Sequence, residues 1–342
     1  GPSLESVLRC QYKYWSRRVQ AEVVPDEVPP FALVDPVAAD PDEPPLDYPF
    51  WLKPVVSHSS LLGFRVESRE DFAHALEKTR AGIHRFAEPL EVIMGYADLP
   101  SDIAEAGAAQ CIAEGIISRG AQCTLEGYVF EGDVEGYGIV DSARRANGSS
   151  LERYEYPSAL PEPVKARIRE SAAKLVGRLG LDDTPFNIEY FYHEEDDSLS
   201  LLEINARISK SHSPIFDMVE GVPHKEVMID VALGRKPDYP ARRGKYAVAA
   251  KFMPRVYGRS DEDVVTHAPD EEEVERLEAR FPGTFIQLHV REGMRLGEVN
   301  HHDQYSHELA AIFMGAEDRE TLHANYEELL EAMDIRIARP EE

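Results

Sequence analysis

The chain of 342 residues is 43% hydrophobic and 29% charged, which is length and apolar content enough for two or three subdomains with cores of their own. Its 63 acidic against 37 basic side chains give a formal net charge of −26, which argues against nucleic acid as a partner, because holding a phosphate backbone takes clustered Lys and Arg. No apolar run approaches the length of a membrane span, and the scattered Cys10, Cys111 and Cys123 make neither a disulfide framework nor a zinc cluster, so the expectation is a reducing, cytoplasmic setting without a membrane.

In chain order, Gly1-Pro2-Ser3 reads as a protease scar, and no secretory leader is visible. Tyr12 to Gln20 predicts a short helix carrying Arg17 and Arg18. Val28 to Val34 predicts a strand after a proline break, and 36–47, rich in Pro and Asp, a loop. Tyr48 to Val55 reads as a short strand with Lys53 near its end, and Ser57 to Gly63 as a polar loop. Ser68-Arg69-Glu70-Asp71 is a capping box opening a helix through about Arg85. Residues 87–109 show little regular pattern. Cys111 to Ile117 predicts a strand, with Cys123 a core thiol in the next. Gln122 to Phe130 and Val134 to Asp141 read as antiparallel strands around Glu131-Gly132-Asp133, and 142–152 as a polar loop. Pro161 to Leu179 is an amphipathic helix with Gly180 past its end. Pro223 to Leu233 predicts another helix. Beyond Pro237, Tyr246 to Met253 and Thr284 to Val290 read as strands, and Asp270 to Arg280 and Asp318 to Met333 as helices.

The most informative stretch is Phe186 to Arg207. It reads as two strands joined by the acidic turn Glu194-Glu195-Asp196-Asp197-Ser198. Side chains alternate along a strand, so Phe186, Ile188, Tyr190 and Tyr192 share one face, while Asn187, Glu189 and Phe191 share the other. On the second strand Glu203 and Asn205 share a face, and a hairpin can bring Glu189 opposite Glu203. Two carboxylates about 4 Å apart repel by roughly 4 kcal/mol at an effective dielectric near 20. Mg²⁺ is the natural group to offset that, since it takes oxygen ligands and shares itself with phosphates. Arg207 follows on the same side as a planar donor fork for a phosphate or carboxylate.

N-I-E-Y-F-Y followed by L-L-E-I-N-A-R-I-S-K-S-H resembles the metal-binding signature of the ATP-grasp superfamily, most of all the branch of biotin carboxylase and the amino-acid ligases. The resemblance covers about residues 12 to 335. It implies an α+β ATP-grasp fold in which two α+β lobes sandwich ATP, with a C-terminal biotin carboxylase-like α+β lobe. Its divisions here would be 1–47 as a linker or remnant of the region before the ATP-grasp lobes, 48–117 as the small lobe, 118–239 as the large lobe and 240–342 as the C-terminal lobe. The Rossmann-like domain that usually precedes Tyr12 is largely missing from the sequence given.

The same resemblance implies that Glu189, Glu203 and Asn205 hold Mg²⁺, with Mn²⁺ as a substitute, against ATP phosphates. Arg207 would meet the γ-phosphate or the acyl phosphate, and Lys53 the α- and β-phosphates. Ser59 and Ser60 lie in the place of a phosphate loop that is strongly Gly-rich in biotin carboxylase and is not so here. Glu114 and Ile117 lie at the hinge that holds adenine, and Gln122, Thr124 and Glu126 follow on alternate positions of the next strand. Arg153 sits near a basic group aimed at the transferring phosphoryl, beside Arg144 and Arg145. His212 either orients substrate or caps the helix it precedes. His301-His302-Asp303 invites a metal reading, which strand alternation opposes because adjacent side chains face opposite ways.

The expected function is a Mg-ATP-dependent ligase that turns a carboxylate into an acyl phosphate and joins it to an amine. Its partners would be small carboxylate and amine substrates, and a homodimer is left open. Two alternatives stand beside it: a carboxylase acting through carboxyphosphate, and a non-catalytic ATP-binding module that needs a partner chain.

Overall fold

The computed structural model describes residues 1–57, 61–145, 150–303 and 306–339. The chain divides into two compact units. The first comprises Gly1–Gly136, Pro161–Ile208 and Val231–Arg235, the second Tyr137–Leu160, Ser209–Asp230 and Lys236–Glu342.

In the first unit the helix expected at Tyr12 to Gln20 runs Lys13–Val23, and a further helix, Leu4–Gln11, precedes it, capped by the Ser3 side chain on the amide of Ser6. An antiparallel sheet follows, in the order Phe31–Val34, Cys111–Gly115, Phe50–Pro54, Phe64–Val66. Ser68 caps the helix Arg69–Gly82, its side chain accepting from the amide of Asp71, while the Asp71 carboxylate accepts from the amide of Glu67 and not from that of Ser68, so the expected box is closed on one side only. Phe72, Ala75 and Leu76 lie at i, i+3 and i+4 on that helix and bury against Phe50, Leu52 and Val66. Each such Leu or Phe stabilises by about 1.5–3 kcal/mol.

Residues 87–109, expected to lack regular structure, instead lie largely in the helices His84–Met94 and Ser101–Ala106. Pro89 inside the first of them reads as a breaker, although Ala87, Leu90 and Met94 recur at i, i+3 and i+7 and bury one face of the helix. The helix Glu162–Leu179 keeps the expected pattern, with Val164, Ile168, Ala172, Leu175 and Leu179 buried. It ends at Gly180 in the left-handed region (φ 73°), where a side chain would be strained. This helix packs on the strand Thr184–His193, which lies between the antiparallel strands Ala121–Phe130 and Ser198–Asn205. All three cysteines are buried thiols, and burial pushes Cys10 and Cys111 up to about 12.

In the second unit the expected loop at 142–152 gives way to strand at both ends. The strand Asp133–Arg144 continues to Arg144, and Leu151–Tyr156 pairs with it, Asp141 opposite Glu155 and Ala143 opposite Arg153. Leu151–Tyr156 also pairs on its other edge with Val248–Phe252, so ladder hydrogen bonds on both sides hold a strand whose polar side chains gave no apolar beat. Beyond it come Ala310–Ala316 and Thr284–Leu288, all antiparallel. The helices Glu271–Arg280 and Arg319–Met333 contribute Val274, Leu277, Leu322, Leu329 and Met333 to the core over Val248, Ala250 and Phe252. Among the described residues no helix is long and apolar enough to cross a membrane.

Candidate active site

The hairpin of the first unit brings Glu189 opposite Glu203, as expected, and also sets Asn187 opposite Asn205. The strand Ala121–Phe130 continues the array, with Thr124 opposite Glu189 and Glu126 opposite Asn187. Cross-strand partners share a face, so one face carries Gln122, Thr124, Glu126, Asn187, Glu189, Glu203 and Asn205. Gln122, Thr124, Glu126, Asn187 and Asn205 are buried, and Glu189 and Glu203 are half-buried. The opposite face carries Cys123, Leu125, Ile188 and Tyr190, all with no exposure, against the long helix.

One residue breaks the alternation. Glu189 pairs with Glu203, but Tyr190 pairs with Leu201, so Leu202 is an extra residue, a β-bulge. The bulge shifts the phase of the strand. Leu199 and Leu201 reach the apolar face on one side of it, and Ile204 does so on the other, while Glu203 and Asn205 keep the polar face.

Arg17 reads that bulge. Successive carbonyls of a regular strand point to opposite sides, yet Arg17 Nη1 donates to Leu201 O at 2.7 Å and Nη2 donates to Leu202 O at 3.0 Å. Nη1 also donates to Gln20 Oε1 (2.6 Å), and Nε donates to Glu114 Oε1 (2.6 Å). The other Glu114 oxygen lies 2.5 Å from Lys53 Nζ. Burial works to raise the Glu114 carboxyl, but Arg17 and Lys53 together more than offset it and bring it down to about 2. Lys13 stands beside this cluster, its ammonium donating to Ser57 O at 3.1 Å. Burial pushes Lys13 below the usual lysine range, and the Glu203 carboxylate opposes that shift. Lys13, Arg17, Lys53, Glu114 and Glu203 thus line one small cavity together with Leu202.

The structure therefore brings Gln122, Glu189, Glu203 and Asn205 to one face, and Lys53, Glu114 and Glu203 to one cavity. Gln122 Nε2 donates to Glu189 Oε2 at 3.0 Å. Asn205 Nδ2 donates to Asn187 Oδ1 at 3.1 Å, and Asn187 Nδ2 donates to Arg207 O at 2.7 Å. Arg207 itself is exposed, its Nη1 donating to Ile208 O at 3.2 Å. Ile117 lies past the end of the strand Cys111–Gly115, and its carbonyl accepts from the amide of Arg119. Ser59 and Ser60 lie outside the described residues.

Arg153 belongs to the second unit, where its Nε stands 3.3 Å from Glu155 Oε2. Arg145 lies over the ring of Tyr257, 4.2 Å from its centroid. His212 packs edge-on against Tyr154 at 4.7 Å and makes no capping bond to the helix Ser213–Glu220. The sequence reading passed over Lys13, although its spacing from Arg17, i to i+4, puts the two cations on one side of a helix.

The donor set suits Mg²⁺. Two carboxylates stand in facing positions with a carboxamide alongside, and the Asn205 nitrogen is spent on Asn187, which leaves its oxygen as the donor toward a cation. Gln122 supports Glu189 as an outer-shell partner would.

A family model described as the ATP binding domain of the carbamoyl-phosphate synthase L chain matches residues 142–238, a span that includes Glu189, Glu203, Asn205 and Arg207. A urea amidolyase of Lachancea kluyveri is 33% identical over 98 residues, which are 29% of this chain and 5% of that protein, so the chain spans a small part of that relative's length. Among solved structures, the L-amino acid ligase from Bacillus licheniformis superposes with a TM-score of 0.72 at 19% identity, over 100% of this chain and 75% of that one. The biotin carboxylase domain dimer of the Hydrogenobacter thermophilus 2-oxoglutarate carboxylase, solved with MgADP, ADP and bicarbonate, gives a TM-score of 0.62 at 17% identity, over 99% and 68%. At these identities the likeness to the solved structures is one of fold.

Proposed function

We propose that the chain is a Mg-ATP-dependent ligase of the ATP-grasp superfamily that activates a carboxylate as an acyl phosphate and joins it to an amine. The observation that carries this reading is the facing pair Glu189 and Glu203, with Asn205 on the same face and Lys13 and Lys53 at the adjoining cavity. Similarity to an L-amino acid ligase supports the choice of carboxylate and amine as substrates.

In the proposed reaction a carboxylate oxygen of the substrate attacks the γ-phosphorus. The bond to the β,γ-bridging oxygen breaks, and ADP leaves with that electron pair. The amine nitrogen then attacks the acyl carbon, phosphate departs with the C–O electron pair, and the amine loses a proton. The protein's share is positioning and charge neutralisation. Glu189, Glu203 and Asn205 would hold the divalent cation, which when bound neutralises charge on the phosphate oxygens. Lys53 would move its ammonium between Glu114 and the phosphates as a compact point charge, and Arg207, exposed at the end of the hairpin, would close its fork on the transferring group.

A panel of amino acids, small carboxylic acids and bicarbonate, read as ADP release, tests the proposal. ADP release that requires an acid and an amine, and that is lost in Glu203→Gln, supports it. Release with bicarbonate alone moves the reading to carboxyphosphate chemistry. Tight ATP binding without release in any mixture sinks the enzymatic reading and leaves a binding module.

A further inference from the structure

The second unit holds a group of side chains that the proposed reaction does not use. His289 follows the strand Thr284–Leu288. His301 and Glu308 lie across a hairpin whose second arm is Ser306–Glu308, the amide of Glu308 donating to His301 O at 2.7 Å. His289 Nε2 is 3.2 Å from Glu308 Oε1, and the rings of His289 and His301 stack 3.9 Å apart at 14°. One ligand atom from each of the three lies within 4.8 Å of the others, and no other such group of His, Cys, Asp or Glu is present among the described residues.

We propose that His289, His301 and Glu308 bind a divalent transition-metal ion of the zinc type, and that this ion clips the hairpin to the sheet. Two imidazole nitrogens and one carboxylate oxygen are a donor set that zinc accepts, with water completing the shell. Zn–N and Zn–O bonds of about 2.0–2.2 Å in a tetrahedron put ligand atoms roughly 3.3–3.5 Å apart, close to the observed His289–Glu308 contact. Glu308 is buried and held in place, its other oxygen accepting from Arg255 Nη2 at 2.7 Å. Arg255 is fixed in turn by Leu151 O and Ser306 Oγ. That is the outer support a ligating carboxylate needs. Near-parallel rings aim their nitrogens side by side and not at one point, so one imidazole must turn. His301 is exposed and is the one that can, and it opens a path for the ion. Arg255 and Lys251 place positive charge nearby and weaken the site, and one carboxylate among imidazoles gives Mg²⁺ little reason to settle there. His302 and Asp303 are not in the set. His302 faces His307 across the hairpin at 5.9 Å, and Asp303 pairs with Arg255.

The test uses the full chain, stripped with a chelator and titrated with Co²⁺ and then Zn²⁺ under excess Mg²⁺. The expected result is one equivalent of Co²⁺ with visible d–d absorption, displaced by Zn²⁺, and a Zn²⁺-dependent rise in the unfolding midpoint. His301→Ala removes an exposed ring and should keep its circular dichroism while losing at least about tenfold in Co²⁺ affinity, together with the Zn²⁺-dependent rise. Glu203→Gln should leave both readouts as they are, which separates this site from the nucleotide reading. Two outcomes overturn the proposal: Co²⁺ bound equally by the native chain and by His301→Ala, or a folded native chain that takes up no Co²⁺.

Discussion

Glu114 and Glu308 are both buried carboxylates with a guanidinium on one oxygen, and they differ in what the other oxygen meets. For Glu114 it is the Lys53 ammonium, for Glu308 the His289 imidazole. Burial tends to raise both carboxyls, and their partners overcome it in both. An ammonium has only protons to offer, whereas an imidazole carries a lone pair once neutral. A carboxylate closed in by cations alone is therefore a scaffold that positions them. One that shares a histidine keeps the option of becoming a ligand.

The largest expected effect tests the scaffold. Glu114→Ala leaves the Arg17 guanidinium, whose side chain is 3% exposed, without its counter-charge, and should cost about 3–5 kcal/mol in urea melts of the chain. A loss below about 1 kcal/mol, the range of exposed pairs, would remove the contrast with Glu308. Next comes the cation site. Glu203→Gln should lower ADP release by more than about 100-fold at fixed Mg²⁺ while the unfolding midpoint stays put.

Arg17→Lys keeps the charge and loses the fork. A bulge carbonyl then lacks its donor, and the chain should lose about 1–3 kcal/mol. Equal stability of this variant would mean that the carbonyl contacts contribute nothing.

The smallest effect is in pH. Glu114 titrates at about 2 in the folded chain against 4.5 as its ordinary value, so its stabilisation is fully present above 4.5 and is lost as pH falls through 2. The stability gap between the native chain and Glu114→Gln should be flat from about pH 5 to 8 and narrow only in acid. A gap that narrows between pH 8 and 6 would assign the effect to another group.

The hairpin register was legible because a strong apolar beat, Phe186, Ile188, Tyr190, fixes one face and therefore the other. The helix behind Ser68 was legible from its local cap, and the helices that begin after Asp270 and Asp318 carry side-chain caps of the same kind. What stayed hidden depends on partners distant in sequence. Lys53 and Glu114 were read as separate contacts to a nucleotide, yet they meet each other, and Arg17 joins them across 97 residues. His301 seemed to belong with its neighbours 302 and 303, whereas its companions are 289 and 308. The bulge did leave a mark, in that Leu199, Leu201 and Ile204 cannot all face one way on an unbroken strand.

That mark makes Leu202 a spacer whose presence counts for more than its side chain. Its removal would delete one ordinary leucine and yet force a choice between two frames. Either Glu203 follows Ile204 out of place and drives a carboxylate into the helix-facing layer, or Leu199 and Leu201 swing among the acids. The strand tolerates exchanges at this point far better than a change of count, because the acidic side and the oily side keep time separately on either side of it.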